Sequence, residues 1–187
     1  PFTRHLCQER EVGTNDLSRL PNAVIRRLRR TPCHHRFAPG HQRATGQMTV
    51  QTIADVVFGD EITPWQPDTS LQATRSFAEA VGYSGSGRFE DHGKARAQGL
   101  PGALVPGIMG MGFLTSMIHR WAPQGKIKFI DTVFRAPVLA DHDHTVTAVV
   151  TDIDEENGEV VLDLTIQNEQ EETRVFGTAT VQLPAAS

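Results

Sequence analysis

The sequence has only two cysteines, Cys7 and Cys33, both in its first quarter. They are too few and too one-sided to staple a core with disulfides or to build a zinc site. No apolar run approaches the roughly 18 to 20 residues of a membrane-spanning helix, and there is no charged-then-apolar secretory start. Those absences predict a cytoplasmic chain with no membrane partner. Aromatic residues are sparse at 6%, with Tyr83 the single tyrosine. Lysine is missing from residues 1–47, where nine arginines stand against three acids for a net charge of +6, while the remainder carries −10. What is present is ordinary: 187 residues, 39% hydrophobic and 21% charged, suit one globular domain and barely two.

The charge break divides the chain. Residues 1–47 hold RRLRR within Ile25–Arg30, the paired His34 and His35 and several prolines, with no apolar periodicity of either kind. A basic arm for nucleic acid, an Arg-rich targeting peptide and an upstream extension ahead of a start at Met48 all fit that composition. The extension is the reading adopted. An arm would mix lysine and aromatic residues with arginine, so no nucleic-acid partner is expected, and residues 1–47 are expected to lack a packed core.

From residue 48 to residue 187 the punctuation is that of one unit. Asp68 or Thr69 can cap a helix over about 70–81, in which Leu71, Thr74, Phe77 and Val81 share a face and Gly82 provides the stop. Tyr83–Gly102 is rich in glycine and small polar residues and reads as a long loop with one short helical turn. Loops of that length inside compact domains usually carry function. Val105–Trp121 has two apolar stripes, Ile108, Met111, Leu114, Ile118 and Trp121 on one and Met109, Phe113 and Met117 on the other. A helix apolar nearly all round is expected to be buried. After Gly125 the period becomes two, predicting strands at about 127–136, 145–154, 159–167 and 174–183. Asn157-Gly158 signals a type I′ hairpin, and a further strand is expected near Ile62. The class is α+β, a consecutive antiparallel meander wrapping one buried helix.

FGDEI at Phe58–Ile62, RSFAEAVG at Arg75–Gly82, GLPGALVPGIMGMGFL from Gly99, and FRAPVLADH from Phe134 follow one another in an order that resembles the MaoC-like hydratases and dehydratases over nearly all of 50–183. GLPGALVPG and FRAPV are its specific parts. The resemblance implies a hotdog fold and action on enoyl or 3-hydroxyacyl thioesters of coenzyme A or acyl carrier protein, without metal or redox cofactor. It also implies that the Gly107 N–H polarises the thioester carbonyl. The residues agree: Pro106 suits a first helical turn, and Gly107 beside it leaves an N–H approachable at the positive end of a helix dipole.

The family's acid/base pair is not in its place. Its pattern after the first helix is Gly-Asp, one residue, Asn-Pro, one residue, His. Counting from Gly82 puts Tyr83 at the Asp, and counting back from Gly99 puts Phe89 at the His. Nearby stand Glu90, Asp91 and His92, a carboxylate and imidazole cluster that suits proton transfer, with an Asp-His-Gly solvated turn as the competing reading. The candidate catalytic residues are therefore His92, Asp91, Glu90 and Tyr83. Ser84, Val105, Pro106 and Gly107 are the candidate substrate-binding residues. His142 and His144 in the Asp141–His144 run have no third ligand partner nearby in sequence, so no metal is expected.

Two functions remain open from sequence: a hydratase or dehydratase with a modified acid/base loop, and a non-catalytic thioester-binding subunit beside an active hotdog partner. A hotdog thioesterase is disfavoured because no carboxylate lies between Leu104 and Trp121. A five-stranded sheet with exposed edges predicts a homodimer, or a heterodimer with another hotdog chain.

Overall fold

A computed structural model describes residues 49–185. The extension expected over residues 1–47 lies outside them. A short 3-10 turn, Ile53–Asp55, precedes β1 (Glu61–Trp65), α1 (Leu71–Ala80), α2 (His92–Ala97), α3 (Gly107–Trp121), β2 (Lys126–Phe134), β3 (His144–Asp154), β4 (Glu159–Asn168) and β5 (Thr173–Gln182).

The strands form one antiparallel sheet in the order β1-β3-β4-β5-β2. Strands β3, β4 and β5 are the expected meander. Strand β2 is not: it runs beside β5, from Lys126 opposite Gln182 to Phe134 opposite Val175. The segment that follows β2 therefore carries the chain from one side of the sheet to the other. Pairing of that range is a tertiary choice that a period-two pattern does not encode.

Alternation explains the core. Val146, Ala148 and Val150 on β3, Val160, Leu162, Leu164 and Ile166 on β4, and Val175, Ala179 and Val181 on β5 face inward onto Leu114, Met117 and Ile118 of α3. These side chains are almost wholly buried, and each valine, leucine, isoleucine and methionine among them contributes about 1.5–3 kcal/mol by leaving water. From the β1 edge, Trp65 meets Phe113 edge-on at 6.0 Å, and the Arg120 guanidinium lies 4.5 Å above the indole.

Several local expectations shift by a residue or a turn. Helix α1 is capped by Ser70, whose hydroxyl accepts the Ala73 N–H at 3.1 Å, rather than by Asp68 or Thr69. Gly82 ends it in the left-handed region at φ 77°. The β3–β4 connection spans Glu155–Gly158, with Gly158 alone of the pair Asn157-Gly158 at positive φ, so it is wider than a type I′ turn. Asn157 instead donates from backbone and side chain to Asp154 at 3.1 and 2.8 Å. Helix α3 is not buried all round: Ile108 is 45% exposed, and Met111, Gly112 and Thr115 are half-buried on the same side.

Candidate functional site

The connection between α1 and α3 is held by side chains that fold back on it. The Gly85 N–H donates to Glu90 Oε1 at 2.7 Å, Gln98 Nε2 donates to the Ser86 carbonyl at 2.8 Å, and the Leu104 N–H donates to the Arg88 carbonyl at 2.8 Å. Gly82, Gly85 and Gly87 all have positive φ, which permits the tight winding. Arg75 of α1 clasps the Glu90 carbonyl with Nε and Nη2 at 3.2 and 2.7 Å.

The wound segment faces the start of α3 across a pocket of about 820 Å³. Its loop wall is Gly82–Ser86 with Arg88 and Phe89. The opposite wall is Gly107, Ile108 and Met111 of α3 together with Phe134 at the end of β2. Tyr83 and Phe89 stack with centroids 5.8 Å apart. A Cβ on Gly107 would sit 3.3 Å from the Phe134 ring, so glycine lets that ring close over the helix start.

Pro106 is the N-cap of α3, one position before the first helical residue, and it offers no side-chain cap. Its carbonyl accepts the Met109 and Gly110 N–H groups at 2.9 and 3.1 Å. The Gly107 and Ile108 amides have no acceptor among the described residues. Free amides at the start of a four-turn helix favour an oxygen gaining negative charge. Val105 is buried, its N–H donated to the Val138 carbonyl at 2.9 Å, so it supports the helix start from behind.

The sequence-predicted residues separate into two groups. Tyr83, Ser84 and Gly107 line the pocket; Val105 and Pro106 lie behind it. Glu90, Asp91 and His92 do not converge there. Asp91 caps α2 by accepting the Lys94 N–H at 2.7 Å, and that bond holds its carboxyl below the usual carboxylate range. Glu90 and Asp91 border a separate polar hollow of about 350 Å³ with Arg75, Glu79, Ser84 and Lys94.

His92 is engaged at both ring nitrogens. The Ala103 N–H donates to Nδ1 at 3.1 Å, which places the ring proton on Nε2, and Nε2 donates to Asp141 Oδ2 at 2.9 Å. Asp141 Oδ1 accepts the Leu71 N–H at the start of α1 at 2.8 Å. The hydrogen bond from His92, then that from Leu71, holds the Asp141 carboxyl below its usual range. Asp141 itself has φ 61°, a conformation uncommon for a residue with a side chain, held by these two bonds and by its N–H to the Thr69 carbonyl at 2.9 Å.

The neighbouring histidines are engaged as well. His142 Nδ1 faces Glu169 Oε1 at 3.4 Å, and buried His144 donates Nδ1 to the His142 carbonyl at 2.9 Å. Of Met109, Met111 and Phe113, the helix residues suited to an acyl slot, Met111 lines the pocket while Met109 and Phe113 are buried in the core. Sequence reasoning missed Ile108 and Phe134: a glycine directly before an apolar helix marks the first, but nothing near Phe134 in sequence shows that β2 ends there.

No family model and no curated protein matches the sequence. Solved structures do. An (R)-hydratase, PhaJ1 from Pseudomonas aeruginosa, superposes with a TM-score of 0.66 at 17% identity, over 72% of this chain and 86% of that one. The ChsH1-ChsH2 complex from Mycobacterium tuberculosis gives 0.62 at 21% identity, over 68% and 98%. A MaoC-like dehydratase from Rhodospirillum rubrum gives 0.61 at 13% identity, over 74% and 99%. The chain thus has the hotdog fold that the (R)-hydratases and MaoC-like dehydratases share.

Proposed function

We propose that this protein binds an acyl thioester of coenzyme A or acyl carrier protein in the pocket below α3, as a hydratase-like subunit without its own acid/base pair. The observation that supports this reading is the lining itself. Two free amides and an apolar wall suit a thioester carbonyl and an acyl chain, yet among the described residues no carboxylate or imidazole lines the pocket. Addition of water to an enoyl thioester needs a group that moves a proton at the α-carbon and another that handles the water. Among the described residues, Tyr83 and Arg88 are the only titratable side chains in the lining.

Such a subunit works beside a second chain. The β2 edge offers unpaired backbone along nine residues and exposes Phe129, Val133 and Phe134 at 60%, 47% and 50%. A second copy or another hotdog chain along β2 covers this apolar edge beside the pocket.

The test is to titrate purified protein with a trans-2-enoyl-CoA while following enoyl absorbance. Binding at micromolar concentration without turnover is expected. Turnover by this chain alone would replace the reading with that of a hydratase using His92 after local rearrangement. No binding would end both.

A further inference from the structure

Arg88 is the one residue of the pocket lining with a full charge, and no carboxylate among the described residues pairs with it. Arg75, on the helix before the loop, is by contrast occupied by the Glu90 carbonyl at 2.7 Å. The backbone that carries Arg88 is nonetheless fixed. Its carbonyl accepts the Leu104 N–H at 2.8 Å, and Gly87 before it is buried at φ 76°. Arg88 is thus an exposed cation on an anchored backbone, bordering a space whose opposite wall is apolar.

A guanidinium fork matches the two oxygens of a carboxylate or phosphate, and its attraction grows as a ligand displaces water from around it. A plain aliphatic acyl chain leaves that cation unmatched. We infer that the acyl chain of the ligand carries an anionic oxygen group besides its thioester carbonyl, and that Arg88 is the residue that selects it. The carbonyl lies at the Gly107 and Ile108 amides, and the anion lies against the loop wall within the same pocket of about 820 Å³. A phosphate on the carrier shares the chemistry of such a carboxylate, and contact of Arg88 with it alone would overturn the inference. The inference rests on the acyl-thioester reading.

Four probes separate the cases: but-2-enoyl-CoA, its 4-carboxy analogue, and the pantetheine thioesters of both, which lack the nucleotide phosphates. Each is titrated into wild type, Arg88→Gln and Arg88→Lys, with thermal melting to confirm that these surface variants are folded. If Arg88 reads an acyl carboxylate, wild type prefers the carboxylated acyl group about tenfold to a hundredfold on either carrier, the size of a charge-assisted hydrogen bond. Arg88→Gln abolishes that preference and Arg88→Lys retains part of it. If Arg88 reads carrier phosphate, Arg88→Gln weakens both CoA thioesters alike and leaves both pantetheine thioesters unchanged. Equal affinity of wild type and Arg88→Gln for all four overturns the inference while leaving the acyl-thioester reading in place. Failure of wild type to bind any of them overturns both.

Discussion

His92 and Asp141, 49 positions apart in sequence, meet at 2.9 Å and tie together the starts of α1 and α2 and the strand of loop that leads to α3. The histidine needs one protonated and one bare nitrogen for this role, so the bond has a polarity. Asp141→Asn turns an acceptor into a donor or leaves the Leu71 N–H without its partner. We expect Asp141→Asn and His92→Ala each to lower stability by about 1–2 kcal/mol, the scale of a lost hydrogen bond at a half-exposed site. The double variant should cost clearly less than the two together, because they remove one shared interaction. Denaturant unfolding of the four proteins measures this; full additivity would show that the pair is not coupled.

Gly107 and Phe134 define the width of the pocket. A Gly107→Val side chain has to displace the Phe134 ring, since even its Cβ stands 3.3 Å from that ring. Acyl-thioester affinity should fall about tenfold or more, a change of about 1.4 kcal/mol or greater. Adding Phe134→Ala should recover part of the loss. A variant with unchanged affinity would move the ligand away from this wall.

Gly177 lets β5 approach β2. Any side chain there would run into the Asp131 carbonyl oxygen, with the Thr132 Cα at 2.9 Å behind it. Backbone cannot step aside as a flexible side chain does. Gly177→Ala should therefore cost about 3 kcal/mol, the upper range for overpacking, read as a shift of the urea midpoint. A loss below about 0.5 kcal/mol would mean that β2 is held more loosely than this register requires.

Burial of His144 sets a pH dependence. Loss of solvent around the ring, the largest influence on it, pushes its proton affinity below the ordinary value of 6.5. The unfolded chain then binds more protons than the folded one as pH falls below 6.5, so stability is full above that pH and declines beneath it. Melting temperature measured between pH 5 and 8 should drop on the acid side, and His144→Gln should flatten the slope. An unchanged slope in that variant would assign the acid sensitivity elsewhere.

Much of this frame was legible along the chain, and the exceptions have a common physical origin. Val160, Leu162, Leu164 and Ile166 alternate because β4 has a neighbour on each side and a helix beneath it, and such a pattern announces itself. The short α2 is legible only as one helical turn within Tyr83–Gly102, because six residues carry no period that fixes its bounds and its start depends on the Asp91 cap. The site was half legible. Gly107 and Tyr83 lie next to turn and helix signals, whereas Phe134 reaches the pocket only through the β2–β5 pairing. His92 looked suited to proton transfer because its residue type is; its engagement with Asp141 and Ala103 arises from tertiary structure alone.

The wound loop before α2 is fastened by its own backbone and by Glu90, Arg75 and Gln98, while the side chains it shows to the pocket are exposed or half-buried and touch none of the interior packing. Identity at Tyr83, Ser84, Arg88 and Phe89 is thereby uncoupled from fold integrity. In an evolving lineage those four positions can exchange chemistry while β3, β4 and α3 stay as they are, which makes this loop an interchangeable cartridge and gives protein engineers a place to install a new acid and base.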